Sequence, residues 1–275
     1  MLAFMSKQPP ERLLLPRWLL IGSGLVVIVG GGFGLRHGLL AFADSVGYAV
    51  CHQITVRTYL FGELAMPLCA RCSGQYLGAL AGFFMALVWG RIRASSPPSR
   101  GLLAVLLLFL AVWAFDGVNS YIYLITGAPF LYQPTNLLRL ITGLCQGIAV
   151  SMLFLPFFNQ VFWRRPDPRP VLQGWRDLGA MILLAALLAL AVHSRWPFLF
   201  YPLALLSILG VLLLLTLVGI LLVVLAFGQE NQANSIKDFA LFLAPGLAFA
   251  LMLIVSVNIL RAWMEAQWGV AFPQG

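Results

Sequence analysis

Seven long runs of apolar residues, separated by short polar stretches, organise the chain. They fall at Trp18–Gly34, Gln75–Gly90, Leu102–Leu124, Leu137–Trp163, Leu178–Val192, Phe198–Phe227 and Phe239–Leu260. A helix needs about 17–25 residues to cross the hydrocarbon of a bilayer. Gln75–Gly90 and Leu178–Val192 fall slightly short, so either can be re-entrant or differently tilted. The pattern predicts an all-α, polytopic transmembrane bundle of about seven helices, with six and eight as the neighbouring counts. Gly74, Gly78 and Gly82 recur every fourth residue, and Gly143 and Gly147 repeat the spacing. Small residues at that interval let helix backbones approach closely, which puts the second and fourth runs at the centre of the first part of the bundle.

Two polar clusters interrupt this pattern. One is Asp116-Gly117-Val118-Asn119-Ser120, late in the third run; the other is Thr135-Asn136 with Arg139 and Thr142-Gly143, opening the fourth. A charge at membrane depth costs on the order of 3 kcal/mol or more unless paired or hydrated, so these residues are functional candidates. Asp116, Arg139 and Asn136 are the candidate catalytic groups. Asp116 and Arg139 fall in the same half of neighbouring spans and are expected to pair, directly or through one water. The bland alternative is an ion pair that only locks two helices together.

Composition agrees with the membrane reading. Apolar residues make up 61% of the chain and charged residues 9%, where a soluble domain carries about 25% charged residues. The net charge of +8 comes from short basic clusters between apolar runs, which argues against nucleic acid as a partner and for the positive-inside rule. With a cytoplasmic N-terminus, the inner segments hold Lys7, Arg12, Arg17, Arg91, Arg93, Arg100, Arg164, Arg165, Arg169, Arg176 and Lys237. The outer segments hold only Arg36, Arg57, Arg71, Arg139, Arg195 and Arg261. The expected location is therefore the cytoplasmic (inner) membrane, multi-pass, with the loop at 35–74 extracytoplasmic. A cleaved signal peptide is the competing view of the first run. Its small-x-small site, Ala41-Phe42-Ala43, lies well past the apolar stretch, so that run is expected to stay as an anchor.

The organisation expected is a motif-bearing four-helix region at 1–163, a basic Pro-rich cytoplasmic linker at 164–177, and a three-helix hydrophobic region at 178–275. His193, Arg195 and Trp196, like Arg36 and His37, are expected to anchor the bundle at the interface.

Most of the unusual chemistry sits in the 35–74 stretch. Cys69 and Cys72 form a C-x-x-C at the start of the second helix, with Cys51 and His52 one turn of chain earlier. Thiolates at this spacing can surround a tetrahedral metal such as zinc, with Cys51, Cys69, Cys72 and His52 as ligands, or with the fourth position open. A C-x-x-C at a helix N-terminus also has favoured thiolates and suits dithiol–disulfide exchange. A structural disulfide is the third reading, which three cysteines, an odd number, fit less well. Cys145, mid-helix, reads as packing.

These residues carry a resemblance. Cys51-His52-Gln53, Arg57, Gly62, Met66-Pro67-Leu68-Cys69-Ala70-Arg71-Cys72-Ser73-Gly74, Gly78, Asp116-Gly117, Asn136, Arg139, Thr142-Gly143 and Gly147 together resemble the prokaryotic membrane family called domain of unknown function two thousand and eighty-five. The resemblance covers about residues 45–150. It implies that these polar residues act as one set and implies no reaction. Asn119-Ser120 stand where a Thr-Gln-like pair is expected.

Three functional readings follow. The first is a zinc-binding membrane protein whose open metal position, with Asp116 nearby, would permit hydrolysis of a lipid-like substrate. The second is a thiol–disulfide oxidoreductase coupled to a membrane quinone. The third is a non-catalytic subunit of a larger membrane complex. The lipid bilayer is the partner common to all three.

Overall fold

The computed structural model describes residues 15–268; the basic residues Lys7 and Arg12 lie outside them. Eight α-helices and four short strands follow one another: α1 Arg17–Leu35, α2 Leu39–Val50, β1 Thr58–Phe61, β2 Leu64–Cys69, α3 Ala70–Val88, β3 Ala94–Ser96, α4 Arg100–Thr126, α5 Asn136–Phe162, β4 Asp167–Pro170, α6 Trp175–Ser194, α7 Phe200–Ala226 and α8 Ile236–Trp268. The architecture is an all-α helical membrane bundle. Among the described residues six helices are long and apolar enough to cross a membrane: α1, α4, α5, α6, α7 with the 3-10 turn before it, and α8. The outward faces are apolar; on α1 alone, Trp18, Ile21, Leu25, Ile28, Val29 and Phe33 are exposed.

All seven apolar runs are helical, but α3 is not among the six. It carries Arg71, Ser73 and Gln75 in its first turns, and most of its residues are buried by other helices. A helix surrounded by protein has no need of a lipid-facing surface. Glycine places it at the centre. A Cβ on Gly74 would lie 2.3 Å from Leu140 O, one on Gly78 2.3 Å from Leu144 O, and one on Gly147 2.0 Å from Gln75 O. These contacts advance along both helices together, so α3 and α5 run parallel, with α5 starting about one turn before α3. On its other flank α3 meets α7, where Gly210 abuts the Tyr76 carbonyl.

The loops segregate to two ends. At one end β3 pairs in parallel with β4, Asn159 Nδ2 donates to the carbonyls of Ile92 and Ala94 at 2.9 and 2.7 Å, and Arg91 meets Asp177 at 2.5 Å. Trp18 of α1 also lies there, against Phe227. The opposite end carries the cysteines. There α2, which does not appear as an apolar run of spanning length, packs against α8 and β2. The antiparallel hairpin β1–β2 turns at Gly62, whose φ of +67° suits a residue without Cβ.

Candidate functional site

Cys51 ends α2, Cys69 ends β2 and Cys72 lies in the first turn of α3. Three elements thus deliver three sulfurs to one place, all within 4.8 Å of one another. Gly47 makes this possible. A Cβ there would lie 2.1 Å from the Pro67 carbonyl, so α2 can dock on β2 only without a side chain at that position. Gln53, held at a φ of +49°, ties the same elements by donating from Nε2 to Pro67 O at 2.9 Å.

All four cysteines are free thiols. Cys51 is buried, while Cys69 and Cys72 are partly covered by an apolar shell that includes Val46, Leu68, Ile208 and Ile254. The backbone N–H groups of Cys69 and Gln53 donate to Cys51 Sγ at 3.2 and 3.4 Å. Hydrogen bonds accepted from the other two thiols hold Cys69 well below the usual thiol range. Its bond to Cys69, reinforced by burial, pushes Cys51 up to about 11. The trio therefore shares its protons, with one sulfur disposed to be a thiolate. Tetrahedral zinc, with Zn–S near 2.3 Å, needs sulfurs about 3.8 Å apart. With all three sulfurs within 4.8 Å, the trio would meet that requirement by shifts of no more than about 1 Å. His52 does not join it: its side chain is exposed, and the turn at Gln53 presents a backbone N–H, not the imidazole, to Cys51. Cys145 stays apart, half-buried within α5.

Asp116, expected to meet Arg139, instead pairs with Arg71. Arg71 Nη2 also donates to the Asp116 carbonyl at 3.1 Å and to Ser120 Oγ at 3.0 Å. The carboxylate further accepts from Tyr132 Oη at 2.8 Å and Thr142 Oγ1 at 3.4 Å. The reason is the parallel seam. It brings the first turn of α3 beside the second turn of α5, at Arg139–Gly143, and Arg71 reaches across to α4. Arg139 donates to Asn136 Oδ1 at 2.9 Å, and Asn136 Nδ2 donates to Val56 O at 3.1 Å, which fastens α5 to the turn before β1. Arg57 leaves that turn to donate to Ser120 O at 3.1 Å. Asn119 and Ser120 are both fully buried in this network, Asn119 holding the Leu131–Tyr132 loop.

Sequence reasoning did not single out Arg57, Arg71 or Tyr132 as site residues. The two arginines stand within the cysteine motif, and that was the available signal; Tyr132 gave none. The clasp from the far end of the chain was also not foreseen. Arg261 of α8 donates to Cys51 O at 2.8 Å and to Tyr48 O, and its guanidinium lies 3.9 Å from the Tyr48 ring centroid. Tyr48 Oη in turn donates to Glu265 at 2.7 Å.

Residues 51–153, which contain the three cysteines, Asp116 and Arg139, match a family model described as "Predicted membrane protein (DUF2085)". An uncharacterized protein of Methanothermobacter thermautotrophicus is 32% identical over 104 residues, 38% of this chain and 83% of that protein. An uncharacterized protein of Methanocaldococcus jannaschii is 29% identical over 116 residues, 42% of this chain and 68% of that protein. No solved structure matches at a significant level. By the extent to which it covers the Methanothermobacter relative, and by the family model that matches its core, the chain belongs to the DUF2085 family of predicted membrane proteins.

Proposed function

We propose that Cys51, Cys69 and Cys72 hold a divalent metal ion, zinc by the softness of three thiolates, at the extracytoplasmic boundary of the membrane. The observation that carries this reading is the convergence of three free sulfurs from α2, β2 and α3 within 4.8 Å, with backbone N–H groups already directed at one of them. A metal so held keeps a position for water or substrate and supplies Lewis acidity and an activated water. The surrounding residues would bind and orient a substrate at the membrane surface. In this scheme Asp116 aims Arg71, while Asn136 aims Arg139. The orientation is supported by the nine basic residues Arg17, Arg91, Arg93, Arg100, Arg164, Arg165, Arg169, Arg176 and Lys237, all on segments at the end away from the cysteines.

The test is metal analysis by mass spectrometry of the purified protein, paired with a thiol count. About one zinc per chain is expected, lost in Cys51→Ser, Cys69→Ser and Cys72→Ser and kept in His52→Ala. Metal-free protein with unaltered thiols would remove the proposal. For orientation, a cysteine placed at Ser96 should resist an impermeant thiol reagent in intact cells. Labelling there would invert the topology.

A second reading is favoured by two free thiols, Cys69 and Cys72, at the N-terminus of α3 with a third free thiol within 4.8 Å. Cys69 and Cys72 could form a disulfide by giving two electrons and two protons to a membrane quinone, with Cys51 exchanging with substrate. A thiol count that falls by two on adding a quinone, in metal-free protein, would select this reading.

A further inference from the structure

Three guanidinium groups meet beside the sulfur trio, and one carboxylate faces them. Arg57 and Arg71 both donate to Ser120, and Arg139 is tied through Asn136 to the residue preceding Arg57. Each lies close enough to the others, and to Asp116 and Cys69, to feel their charge. Arg139 is only 6% exposed, and its Nε has no hydrogen-bond partner; the Nε of Arg71 is likewise unpartnered. Desolvating arginines without matching anions is costly, and buried cations are ordinarily paired. Asp116 answers one of the three. A metal with three thiolates carries one further negative charge, which still leaves the cluster a cation in excess. Backbone adds to the imbalance. The N-terminus of α3, a positive helix end, lies level with Arg139 one turn into the parallel α5.

We propose that Arg57, Arg71 and Arg139, gathered at the N-terminus of α3 and the first turns of α5, bind a phosphate-type oxyanion, carried on a phospholipid headgroup or free in solution. Guanidinium forks match such oxygens in charge and geometry. The neighbouring surface suits a molecule at the membrane boundary: Val56 is 82% exposed, and Phe130 and Leu131 of the α4–α5 loop are exposed beside Tyr132. As a substrate site this rests on the metal reading above; as a binding site it stands on the arginine cluster alone.

The test uses full-length protein in phosphatidylcholine nanodiscs, titrated with inorganic phosphate, and the same protein in nanodiscs containing increasing phosphatidate. Thermal unfolding midpoint and zinc content are read on each sample. The midpoint is expected to rise with one probe or both. Arg57→Gln and Arg139→Lys should each weaken the apparent affinity by at least about tenfold. Arg57, partly exposed and in the short 3-10 turn before β1, outside the α-helices, keeps the test valid should the Arg139 variant fail to fold. A response to inorganic phosphate assigns a soluble oxyanion, and a response to phosphatidate alone assigns a lipid headgroup; both support the site. No response to either, or a response equal in wild type and variants, overturns it. Oxyanion binding in zinc-free protein would keep this site and remove the metal reading; zinc without oxyanion binding would do the reverse.

Discussion

Arginines crowd both ends of the bundle, and the two ends treat them differently. At the end bearing β3 and β4 three of them have partners of their own. Arg91 meets Asp177 and the Val171 carbonyl, Arg93 lies over Trp163 and donates to Asn234 O, and Arg169 grips Asp167 in the open. At the cysteine end Arg57, Arg71 and Arg139 turn inward and share one carboxylate. The first end gives its inward-facing arginines separate partners and leaves the others at the surface. The second packs three guanidinium groups around one carboxylate next to three free thiols, and that is where the two ends differ.

The sharpest way to break this comparison is Asp116→Asn. Asp116 is 1% exposed, and losing its charge leaves the largely covered Arg71 without a counter-ion, a cost of roughly 3 kcal/mol, so the yield of monodisperse protein should collapse. Combining it with Arg71→Gln should restore much of that yield. A double variant as poor as the single would mean that the pair is not the unit. Next comes the seam that brings the two helix ends together. Gly147→Ala forces a Cβ to 2.0 Å from Gln75 O and should cost about 2–3 kcal/mol, whereas Gly179→Ala, with open space around it, should be neutral. Equal melting of the two variants would dissolve the argument from close packing. At the other end Asp177→Asn breaks a partly exposed pair and should lower stability by about 1 kcal/mol. A loss as large as that of Asp116→Asn would erase the contrast between the ends. Smallest is Arg169→Ala. Its side chain is 61% exposed, and no change in melting temperature beyond error is expected.

Hydropathy made the helices legible, because lipid demands an unbroken apolar stretch and the chain supplies seven. It could not disclose α2. Twelve residues that carry Asp44, Gly47 and Tyr48 fall below spanning length, and the helix is held by α8 and β2. The hairpin did leave a trace, the run Thr58-Tyr59-Leu60-Phe61 stopped by Gly62. The sulfur trio was readable from its C-x-x-C and one earlier cysteine. The partner of Asp116 was not, since Arg57, Arg71 and Arg139 all arrive at the same depth and only helix rotation selects among them. His52 misled for a related reason: adjacency to Cys51 says nothing of direction, and the backbone turn at Gln53 sends its ring outward.

The Arg261 clasp on the Cys51 carbonyl joins residues 210 positions apart. Synthesis runs from the N-terminus, so the cysteines are made about 200 residues before the arginine that fastens their turn. The Cys51 carbonyl therefore waits for its guanidinium until α8 has been made, and a contact between segments so far apart in sequence ties the geometry of α2 to the docking of α8.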